Sequence, residues 1–146
     1  MSIEDDVALL ERVPTMRLLG TTALRMLAIG SEQRDFARGA PLFNAGDEAD
    51  AGYIVQRGAF RVEDGGAEII AGPGALIGEL ALIVAMRRPS SAIAIEHSSV
   101  IRVSRSLFQR VLESDPAAAR RLRDELATRT SQLASDILIA GAKLGT

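Results

Sequence analysis

The chain has 146 residues, 47% of them hydrophobic and 25% charged, with a formal net charge of −2. That length suits a single compact domain over 1–146, and the balance of apolar and charged residues excludes a disordered chain. With no cysteine and His97 as its one histidine, the sequence excludes disulfides, thiolate-held metals and multi-histidine metal centres.

The opening Glu4-Asp5-Asp6 is acidic and lacks a basic-then-apolar secretion pattern, and no apolar run approaches a membrane span. A soluble, cytoplasmic protein without membrane contact is expected. Basic and acidic residues are intermixed, so no basic stripe marks a nucleic-acid reader. The first part, about 3–30, reads as helices. Val7, Leu9, Leu10 and Val13 cluster before Pro14, which interrupts the pattern. Thr21 or Thr22 then caps a second helix carrying Leu24, Met26, Leu27 and Ile29, with Gly30 as its stop.

From about 32 to 103 the texture changes to short apolar stretches between glycines. Pro41-Leu42-Phe43, Tyr53-Ile54-Val55, Phe60 to Glu63, Ala67 to Ala71, Ala92 to Ile95 and Val100 to Val103 read as strands. The turn Asp64-Gly65-Gly66 joins two of them, and Glu96-His97-Ser98-Ser99 is expected to be a solvated polar turn. The fold class is mainly β with flanking helices (α+β), an antiparallel jelly-roll β-barrel. Helices close the chain from about 105 to 140. Ser104 or Ser106 caps the first, and Asp115-Pro116 starts the last. Ala119, Leu122, Leu126, Leu133, Ile137 and Ala140 give that long helix an apolar stripe, broken at Arg129. Arg120, Arg121 and Arg123, with Asp124 and Glu125 behind them, read as an exposed helix face.

One segment, 78–91, departs from the strand texture. A glycine turn, Gly72-Pro73-Gly74, leads to Gly78-Glu79, and Leu80 to Val84 can make one helical turn that offers backbone N–H groups to an anion. Arg88 returns nine residues after Glu79. A carboxylate accepts from hydroxyls and a guanidinium fork matches a phosphate, so the two can grip different parts of one ligand. The bland reading of the pair is a structural ion bridge at a strand end.

This segment resembles the phosphate-binding cassette of cyclic nucleotide-binding domains, the type found in catabolite activator protein and protein kinase A regulatory subunits. PLFNAGDEADAGYIVQRGAFRV resembles that family's second to fourth strands and AGPGALIGELAL its approach to the cassette, so the resemblance covers about 21–140. It implies that Gly78 precedes the donor turn and that Glu79 accepts from a ribose 2′-hydroxyl. It also implies that N–H groups around Leu80 and Ala81 donate to phosphate, and that Arg88 pairs with it. Relatives often have a residue with a usable N–H after the arginine. Pro89 has none, so either Ser90, followed by Ser91, substitutes as the donor or that contact is absent. A threonine at that place serves cyclic GMP in relatives, so cyclic AMP is the expected ligand ahead of cyclic GMP, with no metal. Some relatives set hydroxyls of the last helix against the base; here Leu133 and Ala134 fall there, with Thr130 and Ser131 a turn earlier.

The expected function is a sensor that signals through its helices to a protein partner, with a homodimer along the C-terminal helix. No enzymatic activity is expected. A DNA reader would need several dozen residues after the last helix, and the sequence stops at Thr146, so direct nucleic-acid binding is not expected. The alternatives are a ligand-free dimerisation or interaction module with a degenerate cassette, and the effector fragment of a transcription regulator.

Overall fold

The computed structural model describes residues 2–64 and 66–128. Three helices lead: α1 (Ile3–Glu11), α2 (Pro14–Arg17) and α3 (Thr21–Gly30). Ser2 and Asp5 close a reciprocal capping box on α1, and Pro14 opens α2 at a position where its missing N–H costs nothing. At α3 the cap differs from expectation. Gly20, with φ 86°, precedes the helix, Thr21 is its first residue, and Gly30 is its last.

The strands that follow are β1 (Glu32–Phe36), β2 (Pro41–Phe43), β3 (Glu48–Ala49), β4 (Ala51–Arg57), β5 (Phe60–Asp64) and β6 (Ala67–Ala71). After them come β7 (Leu76–Ile77), β8 (Met86–Arg87), β9 (Ala92–Ala94) and β10 (Ser98–Ser104). One antiparallel sheet runs β1-β10-β4-β7, a second runs β2-β9-β5-β6, and β3 pairs with β8 alone. This is the expected jelly-roll arrangement of antiparallel sheets with flanking helices. Helix α4 (Arg105–Ser114) and a helix α5 over 116–128 complete the described chain. Ser104 caps α4 by accepting the Leu107 N–H at 3.1 Å, and the Asp115 carboxylate caps α5 through the Ala118 N–H at 3.1 Å.

Period-two alternation sends β4 side chains to two different cores. Ala51, Tyr53 and Val55 join Phe60, Ala71, Ile77, Ala94 and Val100 between the sheets. Ile54 faces the other way, with Ile101, Val103 and Leu82, against Leu10, Met16, Leu24, Leu27 and Phe108 of the helices. Burying each large side chain contributes about 1.5–3 kcal/mol, so β4, buried on both faces, anchors barrel and helices together.

The turn expected at Glu96 to Ser99 is shorter. Ser98 and Ser99 belong to β10 and are fully buried. The Ser98 hydroxyl accepts the Ala59 N–H at 3.0 Å and donates to the Glu96 carbonyl at 2.9 Å, which satisfies a polar residue inside a strand. Glu96 and His97 are exposed. Strand β1 escaped the sequence pattern because Glu32-Gln33-Arg34-Asp35 has no apolar alternation; it is an exposed edge strand held by its pairing with β10. Of the arginines expected on an open helix face, Arg121 instead donates to the Leu18 and Leu19 carbonyls, at 2.6 and 2.8 Å. It ties α5 to the end of α2.

Candidate ligand-binding site

A short 3-10 turn, Glu79–Leu82, interrupts the barrel between β7 and β8. Its seat is set by Gly52 of β4. A Cβ there would lie 3.1 Å from Leu82 Cγ, so the bare backbone lets the fully buried Leu82 press against the strand. Gly78 precedes the turn with φ 81° and ψ 37°, a left-handed conformation that side chains other than glycine adopt at a cost of about 1–2 kcal/mol. A Cβ on Gly78 would also stand 2.5 Å from Arg88 Nη1. The glycine therefore serves both the chain reversal and the approach of the arginine.

Arg88 follows β8, and its backbone is pinned on both sides. Its N–H donates to the Asp47 carbonyl at 2.7 Å, and its own carbonyl accepts the Gly46 N–H at 2.8 Å. The side chain is 5% exposed. Nη2 donates to the Ala51 carbonyl at 2.8 Å, and Cζ lies 4.2 Å from the centre of the Phe43 ring and 5.5 Å from that of Tyr53. Nε is buried and makes no hydrogen bond among the described residues. Burial pushes the guanidinium below its ordinary pKa, with Tyr53 and Asp50 opposing the shift. Arg88 belongs to none of the ion pairs formed among the described residues. A buried cation with no ion pair among the described residues and a donor to spare has the chemistry to take an anion.

Glu79, the first residue of the turn, is half-buried, and its Oε1 accepts the Thr15 hydroxyl at 2.8 Å. The structural ion bridge between Glu79 and Arg88 is therefore not formed. Each is held separately, and both line a cavity of about 650 Å³. Gly78, Leu80, Ala81, Pro89 and Ser90 line that cavity with them. The Leu80 N–H makes no hydrogen bond among the described residues, whereas the Ala81 N–H donates to the Gly78 carbonyl at 3.1 Å. Ser91 is turned away; its hydroxyl accepts the Ala45 N–H at 2.8 Å. Val62, Ile69 and Ile70 add an apolar part to the lining. Ile69 and Ile70 are 49% and 56% exposed.

The family model for the cyclic nucleotide-binding domain matches residues 33–115 of this chain. The chain belongs to the cyclic nucleotide-binding domain family. Over 104 residues, 67% of this chain, it is 33% identical to the cyclic AMP receptor protein of Thermus thermophilus, and it spans about half (48%) of that relative's length. A cyclic nucleotide-binding-like protein from Brucella abortus is 37% identical with a TM-score of 0.65, covering 75% of this chain and 98% of that one. The N-terminal domain of a transcriptional regulator from Streptomyces coelicolor is 27% identical with a TM-score of 0.76, covering 86% and 94%. The domain thus resembles the N-terminal domain of a transcriptional regulator.

Several features of this cyclic nucleotide-binding domain were not singled out from sequence: Thr15, the Phe43 and Tyr53 rings beside Arg88, the apolar wall, and Arg105. Arg105 of α4 donates through Nη1 to the carbonyls of Ala49, Ala81 and Val84 at 2.9, 3.2 and 3.1 Å. One signal was available. Ile69-Ile70 sets two large apolar residues side by side in a strand, and alternation can bury only one of them in a single core. The base-contact positions considered in the last helix, Thr130, Ser131, Leu133 and Ala134, lie outside the described residues, as do Ile137 and Ala140 of the expected dimer seam. Among the described residues no acidic or histidine cluster could hold a metal ion, and no helix is long and apolar enough to cross a membrane.

Proposed function

We propose that the chain binds a cyclic nucleotide, cyclic AMP in preference to cyclic GMP, and reports it through its helices as a regulatory module without catalysis of its own. One observation carries the reading: the buried Arg88, with Nε unsatisfied, opens onto a cavity of ligand size beside a glycine-led turn. In this reading Arg88 takes the cyclic phosphate and Glu79 accepts from the ribose 2′-hydroxyl. Leu80 supplies a backbone donor to the phosphate, and Ala81 a second one if its N–H leaves the Gly78 carbonyl. Ser90 takes the place of the N–H that Pro89 lacks.

Val62, Ile69 and Ile70 offer the base an apolar surface without hydrogen-bond partners, which favours the less polar purine. Pro89 supplies no hydroxyl for guanine, and the Thermus relative's name supports cyclic AMP for this chain. Signalling through the helices is supported by Arg105, which bonds the cassette turn from the first residue of α4. A ligand that reshapes that turn changes the contact, and shifts the helices by its differential affinity for the two arrangements. A homodimer along the last helix and a protein partner remain part of the proposal.

Titration calorimetry with cyclic AMP, cyclic GMP and linear 5′-AMP tests it. Saturable binding, tightest for cyclic AMP, is expected. No heat with either cyclic nucleotide would overturn it in favour of a ligand-free interaction module.

A further inference from the structure

We infer that Phe43 is a positioning residue for the phosphate: its ring seats the Arg88 guanidinium, so that a cyclic phosphate meets a cation already in place. The inference rests on the reading of Arg88 as the phosphate cation. Phe43 ends β2, and its ring centre lies 4.2 Å from Arg88 Cζ. The same stretch of chain holds the arginine at its backbone. The Gly46 N–H donates to the Arg88 carbonyl at 2.8 Å, and the Asp47 carbonyl accepts the Arg88 N–H at 2.7 Å. Segment 43–47 therefore grips Arg88 at both ends, backbone and guanidinium.

That segment is itself braced. The Asp47 carboxylate accepts the Asn44 N–H at 2.9 Å, and the Ala45 N–H donates to the Ser91 hydroxyl at 2.8 Å. Tyr53, only 7% exposed, backs the ring, with the two ring centres 6.1 Å apart. The bond from Nη2 to the Ala51 carbonyl fixes one point of the guanidinium, and a single bond leaves the group free to turn about it. A ring beside Cζ takes away part of that turning. The face of an aromatic ring is negative, so it attracts a guanidinium while using none of its N–H donors. A carboxylate in the same place would neutralise the cation and compete with the phosphate. An arginine fixed before the ligand arrives also spares binding the loss of its rotamer freedom.

The test is competition of cyclic AMP against a fluorescent cyclic AMP analogue. The proteins are wild type, Phe43→Leu, Phe43→Met, Phe43→Tyr, Arg88→Ala and the double variant Phe43→Leu with Arg88→Ala, with unfolding of each unliganded protein followed alongside. Leucine and methionine keep an apolar side chain and remove the ring; tyrosine keeps it. Phe43→Leu and Phe43→Met are expected to weaken cyclic AMP by about three- to thirtyfold, and Phe43→Tyr to stay within about twofold of wild type. In the Arg88→Ala background Phe43→Leu should cost nothing further, because no guanidinium is left to seat. Equal losses with and without Arg88 would show that the ring merely shapes the cavity it lines, and would overturn the inference. Unchanged affinity in both ring-less variants would overturn it too. So would tighter binding, which would show the ring competing with the phosphate for the cation. The underlying reading fails separately: if Arg88→Ala binds cyclic AMP as wild type does, Arg88 is not the phosphate cation.

Discussion

Replacing Arg88 by alanine separates what this buried cation does for the fold from what it does for a ligand. In the unliganded domain the change removes the 2.8 Å bond to the Ala51 carbonyl and the stacking on Phe43. Those contacts are worth about 1.5–3 and 0.5–2 kcal/mol respectively. It also removes the burial cost of a guanidinium with an unsatisfied Nε, several kcal/mol of opposite sign. The two nearly offset, so the stability of the unliganded protein should change by no more than about 2 kcal/mol. A bound phosphate is different, because the variant would leave it buried without its counter-charge. A loss of about 3 kcal/mol, roughly a hundredfold in Kd, is expected. At cyclic AMP one hundred times the wild-type Kd, wild type gains about 2.7 kcal/mol, whereas the variant gains roughly 0.4. For a domain of this size that is a rise of roughly 8 °C in Tm against about 1 °C. Thermal unfolding followed by circular dichroism, with and without ligand, reads both quantities. Equal shifts in the two proteins would refute the assignment of Arg88 to the phosphate.

Gly78→Ala places a Cβ at 2.5 Å from Arg88 Nη1 on a residue with φ 81°. It should cost about 1–3 kcal/mol in denaturant unfolding and weaken cyclic AMP by at least about tenfold, since the guanidinium must move. Arg105→Met removes the donor to three carbonyls and should destabilise the unliganded protein by about 1–3 kcal/mol, measured by urea unfolding. Asp6 gives a pH dependence. Burial, and after it the charge of Asp5, raise its carboxyl pKa, while the Gln56 side chain opposes the shift by hydrogen bonding. A raised folded-state pKa means that the folded form holds its proton more tightly. The ionised group is therefore a penalty above the folded pKa, and that penalty fades as pH falls toward the unfolded value of 3.8. Asp6→Asn should raise Tm at pH 7 relative to wild type, and the difference should shrink at pH 4. A constant difference across that range would count against the shift.

The strands with regular alternation were legible in the sequence. Phe60 and Val62 take the inner side of β5, and the 67–71 and 100–103 stretches fall within or on their strands. Polar β1 was invisible, because a strand pinned at the edge by backbone pairing alone needs no apolar pattern. Ser98 and Ser99 misled for the opposite reason. Two serines after a histidine carry the composition of a turn, and only their partners, the Ala59 backbone and Arg57, make them inhabitants of a buried strand. Arg121 read as a solvated charge because helix periodicity says nothing about the carbonyls that another helix leaves exposed at its end.

By itself the sequence determined the order of helices, barrel and helices, and the spacing that brings Gly78, Glu79 and Arg88 into one segment. Those features are local: they follow from turn residues, periodicity and the short chain path between 78 and 88. The tertiary structure decided who holds each group. Glu79 accepts the Thr15 hydroxyl from α2, and Arg88 donates to the Ala51 carbonyl and lies over the Phe43 ring. Arg105 fixes the cassette turn from α4. Each of these partners lies 21 to 64 residues away in sequence. Contacts of that separation are set by how sheets and helices pack, and no residue pattern along the chain encodes them.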